Sequence, residues 1–137
     1  MQKRKMLITG GSQGIGAAIV QQARAAGHDV VFTGRNDAHI RATASATGAH
    51  GITADVSVDA DNQRVVDEAL AKMGGIDVLV NNAAFGYNNE IGSIDVNAMR
   101  TLFATNVFGA VDITNRVVPH MKSKGTATSS TSPRPPA

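Results

Sequence analysis

The feature that most constrains this chain is an alternation, repeated four times, of a short apolar run with a stretch of helical spacing. Met6-Leu7-Ile8 runs into Thr9-Gly10-Gly11, and Ile15, Ala18, Ile19, Ala23 and Ala26 then recur at helical intervals before Gly27. Val30-Val31-Phe32 closes at Gly34, and a weaker helical stretch from Asp37 to Thr47 ends at Gly48. Gly51 to Val56 is a third strand candidate. Asp59 or Asp61 is placed to cap a helix carrying Val65, Val66, Ala69, Leu70 and Met73 before Gly74-Gly75. Ile76 to Val80 is the fourth strand. Strands joined through helices need crossover connections, which belong to parallel sheets. The runs are continuously apolar, as expected when helices cover both sheet faces. The fold class is therefore α/β, a doubly wound parallel sheet.

Residues 85 to 94 form a polar loop, and a long helix is expected from Asp95, over about 96–121. Met99, Leu102, Phe103, Val107, Ala110, Ile113, Val117 and Met121 make one stripe on it, and Pro119 should kink or loosen its last turn. Residues 1–124 thus read as one domain. After Lys124 the chain contains only Gly, Thr, Ala, Ser, Pro and Arg, so 125–137 is expected to be a disordered tail.

Composition narrows the function. No cysteine is present, which excludes disulfides, thiolate metal sites and cysteine nucleophiles. The net charge is only +2, and apart from Lys3-Arg4-Lys5 the basic residues are scattered. That cluster reads as a solvated lead-in to the first strand, so no nucleic-acid partner is expected. The apolar run Met6–Ile8 is too short for a signal peptide or membrane span, so no membrane partner is expected and the default location is cytoplasmic.

Five motifs carry the chemistry. Thr9-Gly10-Gly11-Ser12-Gln13-Gly14-Ile15-Gly16 lies between a strand and a helix. There Gly10 allows a sharp turn, Gly14 lets a pyrophosphate approach the backbone, and Gly16 lets the helix lie close to the sheet. The amides and dipole at the helix start then face the phosphates. No Lys-Ser/Thr follows, as a P-loop would need. At the end of the second strand, Gly34-Arg35 stands where NAD-preferring folds place an acidic residue. Loss of the carboxylate removes repulsion, and the guanidinium supplies a bidentate partner for a 2′-phosphate. The bland alternative is a surface Arg in a turn. Asp55 can accept from an adenine amino group with Val56 against the ring, or can be a turn or cap Asp. Asn81-Asn82-Ala83-Ala84 follows the fourth strand, where small residues let a ribose and nicotinamide approach. Alone it is also a turn signal. Asn106, within Asn106-Val107-Phe108-Gly109, falls on the apolar stripe. It reads as a satisfied core Asn, or as a local helix distortion freeing a carbonyl to hold a water.

As an ordered set, these motifs and Val118-Pro119-His120-Met121 resemble the short-chain dehydrogenase/reductase family over residues 5 to about 124. The resemblance implies a Rossmann-like sheet whose first four strands run in the order 3-2-1-4, followed by the long helix. It implies that Gly10, Ser12, Gln13, Gly14, Ile15 and Gly16 contact the pyrophosphate side of a dinucleotide. Arg35 would mark NADP(H) rather than NAD(H), Asp55 and Val56 would touch adenine, and Asn82, Ala83 and Ala84 would line the nicotinamide ribose. Asn106 matches the Asn of the family's catalytic tetrad. Ala84 departs from the family's usual Gly. The implied parent reaction is hydride transfer to or from a small-molecule carbonyl or secondary alcohol. In the family the long helix often packs in a subunit interface, so a homo-oligomer through 96–121 is possible.

The family's Ser and Tyr-x-x-x-Lys are absent. The one tyrosine is Tyr87, with Ile91 four residues later. The chain is therefore expected to be an incomplete domain, inactive alone. A fifth apolar strand is due where Ser129-Ser130-Thr131-Ser132-Pro133-Arg134 stands. TCN serine codons read one base earlier become NTC, encoding Phe, Leu, Ile or Val. A one-base frameshift between about codons 125 and 129 is accordingly expected, against the alternative of a natural short protein with a flexible tail. The coding DNA tests it. Competing readings are a non-catalytic dinucleotide-binding or interaction module and an S-adenosylmethionine methyltransferase, against which Arg35 argues.

Overall fold

The computed structural model describes residues 2–84, 92–123 and 128–129. In chain order the elements are β1 (Lys5–Thr9), α1 (Gly14–Ala25), β2 (Asp29–Gly34), α2 (Asp37–Thr47), β3 (His50–Thr53), α3 (Asp59–Met73) and β4 (Val78–Asn81). Then come α4 (Val96–Phe103), a π-helical segment (Ala104–Gly109), α5 (Ala110–Ser123) and β5 (Thr128–Ser129). The strands form one parallel sheet in the order β3-β2-β1-β4-β5. This is a Rossmann-like α/β fold, and its first four strands have the expected 3-2-1-4 order.

Each side of the sheet has its own apolar layer. Leu7, Val31 and Leu79 point toward Val65, Val66 and Ala69 of α3 and toward Ile113, Val117 and Met121 of α5. Ile8, Val30 and Phe32 point the other way, toward Val20 and Ala23 of α1 and Ile40 of α2. Neighbouring strand residues alternate between layers because the pleat has a period of two. Helices cover both faces, which is why the strands read as unbroken apolar runs.

Three local expectations need correction. The buried face of α1 is Gly16, Val20 and Ala23, whereas Ile15 is 76% exposed. Periodicity weighs only apolar side chains, so it misses a helix seated on a glycine. The N-cap of α3 is Val58, with no capping side chain, rather than Asp59 or Asp61. Both aspartates occupy the first turn instead, and Asp61 is turned back to the backbone of Asp55. The expected stripe on the long helix is split. Ile113, Val117 and Met121 are fully buried, while Phe103 is 43% and Val107 41% exposed. The π-helical turn between the two halves adds a residue per turn and rotates one half of the stripe relative to the other. Helix α5 runs through Pro119 to Ser123. Within the tail expected over 125–137, Thr128 and Ser129 pair in parallel with Val78 and Leu79; the other residues beyond Ser123 lie outside the described residues. Residues 85–91 of the polar loop expected over 85–94, with Tyr87, also lie outside them.

Candidate functional site

The strand ends of β1, β2 and β4 are tied together by short polar side chains. Thr9 Oγ1 accepts from the amides of Asn82 and Ala83, both at 3.1 Å. Asn82 Nδ2 donates to the Gly10 carbonyl at 3.0 Å, and the Gly11 amide donates to the Thr33 carbonyl at 2.8 Å. These bonds draw the turns after three strands into one floor. Close approach makes two glycines obligatory there. A Cβ on Gly10 (φ 65°) would lie 2.8 Å from the Ala83 Cα, and one on Gly16 would run into the Gly10 carbonyl group and come 2.5 Å from Asn82 Nδ2. Gly14 also has positive φ, 60°, but nothing lies within 4 Å of its missing Cβ, so backbone is open to a ligand there.

Above this floor lies a cleft of about 390 Å³ at the carboxyl ends of the strands. Of the residues singled out in the sequence, Gly10, Ser12, Gln13, Arg35, Asp55, Val56, Asn82, Ala83 and Ala84 line it. Gly14, Ile15 and Gly16 do not: Gly16 is buried beneath, and Ile15 is exposed. Asn106 lines an adjoining hollow of about 410 Å³ with Asn81, Thr114 and Asn115; Ala83 and Ala84 border both. The helix distortion read from Asn106 is the π-helical segment Ala104–Gly109.

That segment is seated on the cleft wall by Gly109, whose Cβ would lie 2.5 Å from the Val56 carbonyl oxygen. The same carbonyl accepts from Asn62 Nδ2 at 2.8 Å. Asn62 is fully buried and also donates to Asp112 Oδ2 on α5 at 2.8 Å, while its own Oδ1 has no partner among the described residues. Asp112 accepts from Arg116 Nε at 3.0 Å; this bond, aided by that of Asn62, holds its carboxyl below the usual range. Asp61 accepts from the Asp55 amide at 2.9 Å, and mainly for that reason its pKa is also lowered. Asp55 itself accepts from the amide and hydroxyl of Ser57. The wall formed by Asp55 and Val56 is thus clamped by consecutive residues of α3, Asp61 and Asn62.

Sequence reasoning missed several contributors. Thr9 opens the glycine-rich motif, but the role of its side chain in tying the strands together is not legible in it. Thr33, Asn36, His39 and Thr105 line the cleft, yet none matches a motif. Asn36 carried a readable signal, an Asn three residues before His39, and it caps α2 by accepting from the His39 amide at 2.9 Å. Among the described residues, no group of three or more His, Asp or Glu could hold a metal ion. No described helix is long and apolar enough to cross a membrane.

A doubly wound parallel sheet with a glycine-rich turn and a cleft at its carboxyl edge defines a nucleotide-binding α/β protein. The family model for short chain dehydrogenase matches residues 4–131, and the chain belongs to that family of NAD(P)(H)-dependent oxidoreductases. It is 34% identical over 123 residues to L-fucose dehydrogenase of Rattus norvegicus, covering 88% of this chain and 46% of that one. It is 33% identical to NADPH-dependent aldehyde reductase 1, chloroplastic, of Arabidopsis thaliana, covering 92% of this chain and 48% of that one. A crystal structure of 3-ketoacyl-(acyl-carrier-protein) reductase from Brucella melitensis complexed with NADH superposes with a TM-score of 0.85 at 32% identity, over 88% of this chain and 51% of that one. The chain spans about half the length of the relatives it matches.

Proposed function

We propose that the cleft binds NADP(H) and that the chain is the cofactor-binding part of an oxidoreductase acting on a small-molecule carbonyl or secondary alcohol. The single observation that carries this is the end of the cleft after β2, where Gly34 and Arg35 replace the acidic residue expected for a free ribose 2′-hydroxyl. The fit of the dinucleotide rests on the cradle: a Cβ would fill the floor at Gly10, and the open backbone at Gly14 leaves room for a diphosphate. Ser12 and Gln13 would hold the pyrophosphate side, Asp55 and Val56 the adenine, and Asn82 to Ala84 the nicotinamide ribose. Ile15 and Gly16 would act through the helix that carries them, by its amides and by its closeness to the sheet.

When bound, the nicotinamide supplies hydride chemistry at a carbonyl carbon. This chain's residues bind, orient and exclude water. Asn106 would support a water for proton relay, with the π-helical turn providing the local break in helical geometry. The proton-donating Tyr and its Lys lie outside these motifs, so turnover is a property proposed for a whole protein. The exposed Phe103, Val107, Phe108 and Val111 support self-association through the same long helix.

The test is a fluorescence titration with NADPH and NADH of the chain and of Arg35→Ala. NADPH should bind at least about tenfold more tightly than NADH, and the substitution should remove that preference. Equal affinities in the unaltered chain would refute the reading.

A further inference from the structure

The geometry points to His39 as a second, titratable contact for the cofactor's 2′-phosphate, one that makes the choice of NADP(H) over NAD(H) depend on pH. The inference rests on the proposed binding of NADP(H) in the cleft. His39 is exposed on the first turn of α2 and lines the cleft with Arg35 and Asn36. Its backbone amide is bonded to the Asn36 side chain, which fixes this turn immediately after Arg35. Ser12 also lines the cleft, and its hydroxyl would lie 2.6 Å from a Cβ on Gly34. Ser12, Arg35, Asn36 and His39 thus all line the cleft around the end of β2. Among the described residues, Asp55 is the only acidic one lining the cleft, and it accepts from Ser57.

A phosphate monoester bears about −1.5 to −2 charge near neutral pH and offers three acceptor oxygens, more than one guanidinium satisfies. An imidazole donates at both nitrogens when protonated and at one when neutral. Histidine changes charge between about pH 5 and 8, so its contribution is greatest at the acid end of the working range. The other charged groups around α2 do not supply this behaviour. Asp37 on the same turn accepts from the Thr53 hydroxyl of β3. Arg24 of α1 is bonded at the far end of α2, to the Thr47 carbonyl, and His50 of β3 is paired with Glu68. Arg35 precedes α2 and Arg41 lies on it.

The experiment uses the full chain, its His39→Gln, His39→Arg and Arg35→Ala variants, and titrations with NADPH and NADH at about pH 6.5 and about pH 8.5. His39→Gln should weaken NADPH binding about fivefold at the lower pH and about twofold or less at the higher, leaving NADH unchanged at both. His39→Arg should hold NADPH equally well at both values. If Arg35→Ala removes the NADPH preference while His39→Gln changes nothing at either pH, the role of His39 is overturned and the cofactor reading stands. Equal weakening of NADPH and NADH in His39→Gln would equally overturn it, because the effect would then be structural. If Arg35→Ala leaves the preference intact, the phosphate end itself is misplaced and both inferences fall.

Discussion

Gly16→Ala sets two physical effects of opposite sign against each other. Gly16 is the third residue of α1, and helix propensity alone favours Ala there by up to about 1 kcal/mol. The tertiary contact opposes it. The new methyl would run into the Gly10 carbonyl group, 2.8 Å from its carbon, and come 2.5 Å from Asn82 Nδ2. The obstacle on one side is backbone, so rotating a side chain does not relieve it. Either α1 lifts from the sheet or the turn at Gly10 moves. Overpacking of this kind costs about 1–3 kcal/mol. Displacing Asn82 also breaks its 3.0 Å bond to Gly10, worth about 1 kcal/mol net. The sum is a destabilisation of about 1–3 kcal/mol after the propensity gain. Urea unfolding followed by far-UV circular dichroism measures it. Ala18→Gly, at an exposed position of the same helix, calibrates propensity alone and should cost about 0.5–1 kcal/mol. A Gly16→Ala protein as stable as the parent, or more so, would refute the claim that close approach at the phosphate turn requires glycine.

Other outcomes test the rest of the site. Asp112→Ala removes a partner of the buried Asn62 amide and should destabilise the fold by about 1–2 kcal/mol in urea, with a secondary loss of nucleotide affinity through Val56. Because Arg116 holds the Asp112 carboxyl below its ordinary range, this stabilisation is present above the unfolded-state value, near pH 4, and is lost as pH falls through the folded-state value. The variant should accordingly show a shallower acid loss of stability in melts between about pH 5 and 2. Gly109→Ala should unseat the π-helical turn from the Val56 carbonyl and cost about 1–3 kcal/mol, read by the same unfolding assay. Incubated with NADPH and a panel of aldehydes and ketones, the chain should show no turnover above background; measurable, protein-dependent NADPH oxidation would refute the assignment of proton transfer to residues outside it.

The order and type of the first four strands and their helices were readable because each signal is local. A buried parallel strand must be apolar along its length, and a Gly such as Gly48 or Gly74 in the left-handed region ends the helix before it. The glycine-rich turn, Arg35 and the residues after β4 were likewise legible as a set, because cofactor sites of this fold lie at strand ends and strand ends are marked in sequence. Only the tertiary structure decided which face of α1 is buried, since Gly16 packs through the absence of a side chain and leaves no trace in apolar periodicity. It alone paired Thr128 and Ser129 with β4, because strand addition uses backbone groups that a polar composition does not reveal. The clamp from Asn62 to Val56 and Asp112 joins residues 6 and 50 positions apart, and the entry of His39 and Thr105 into the cleft likewise depends on how separate elements meet. Such encounters are set by the packing of helices against the sheet, and no pattern confined to one segment encodes them.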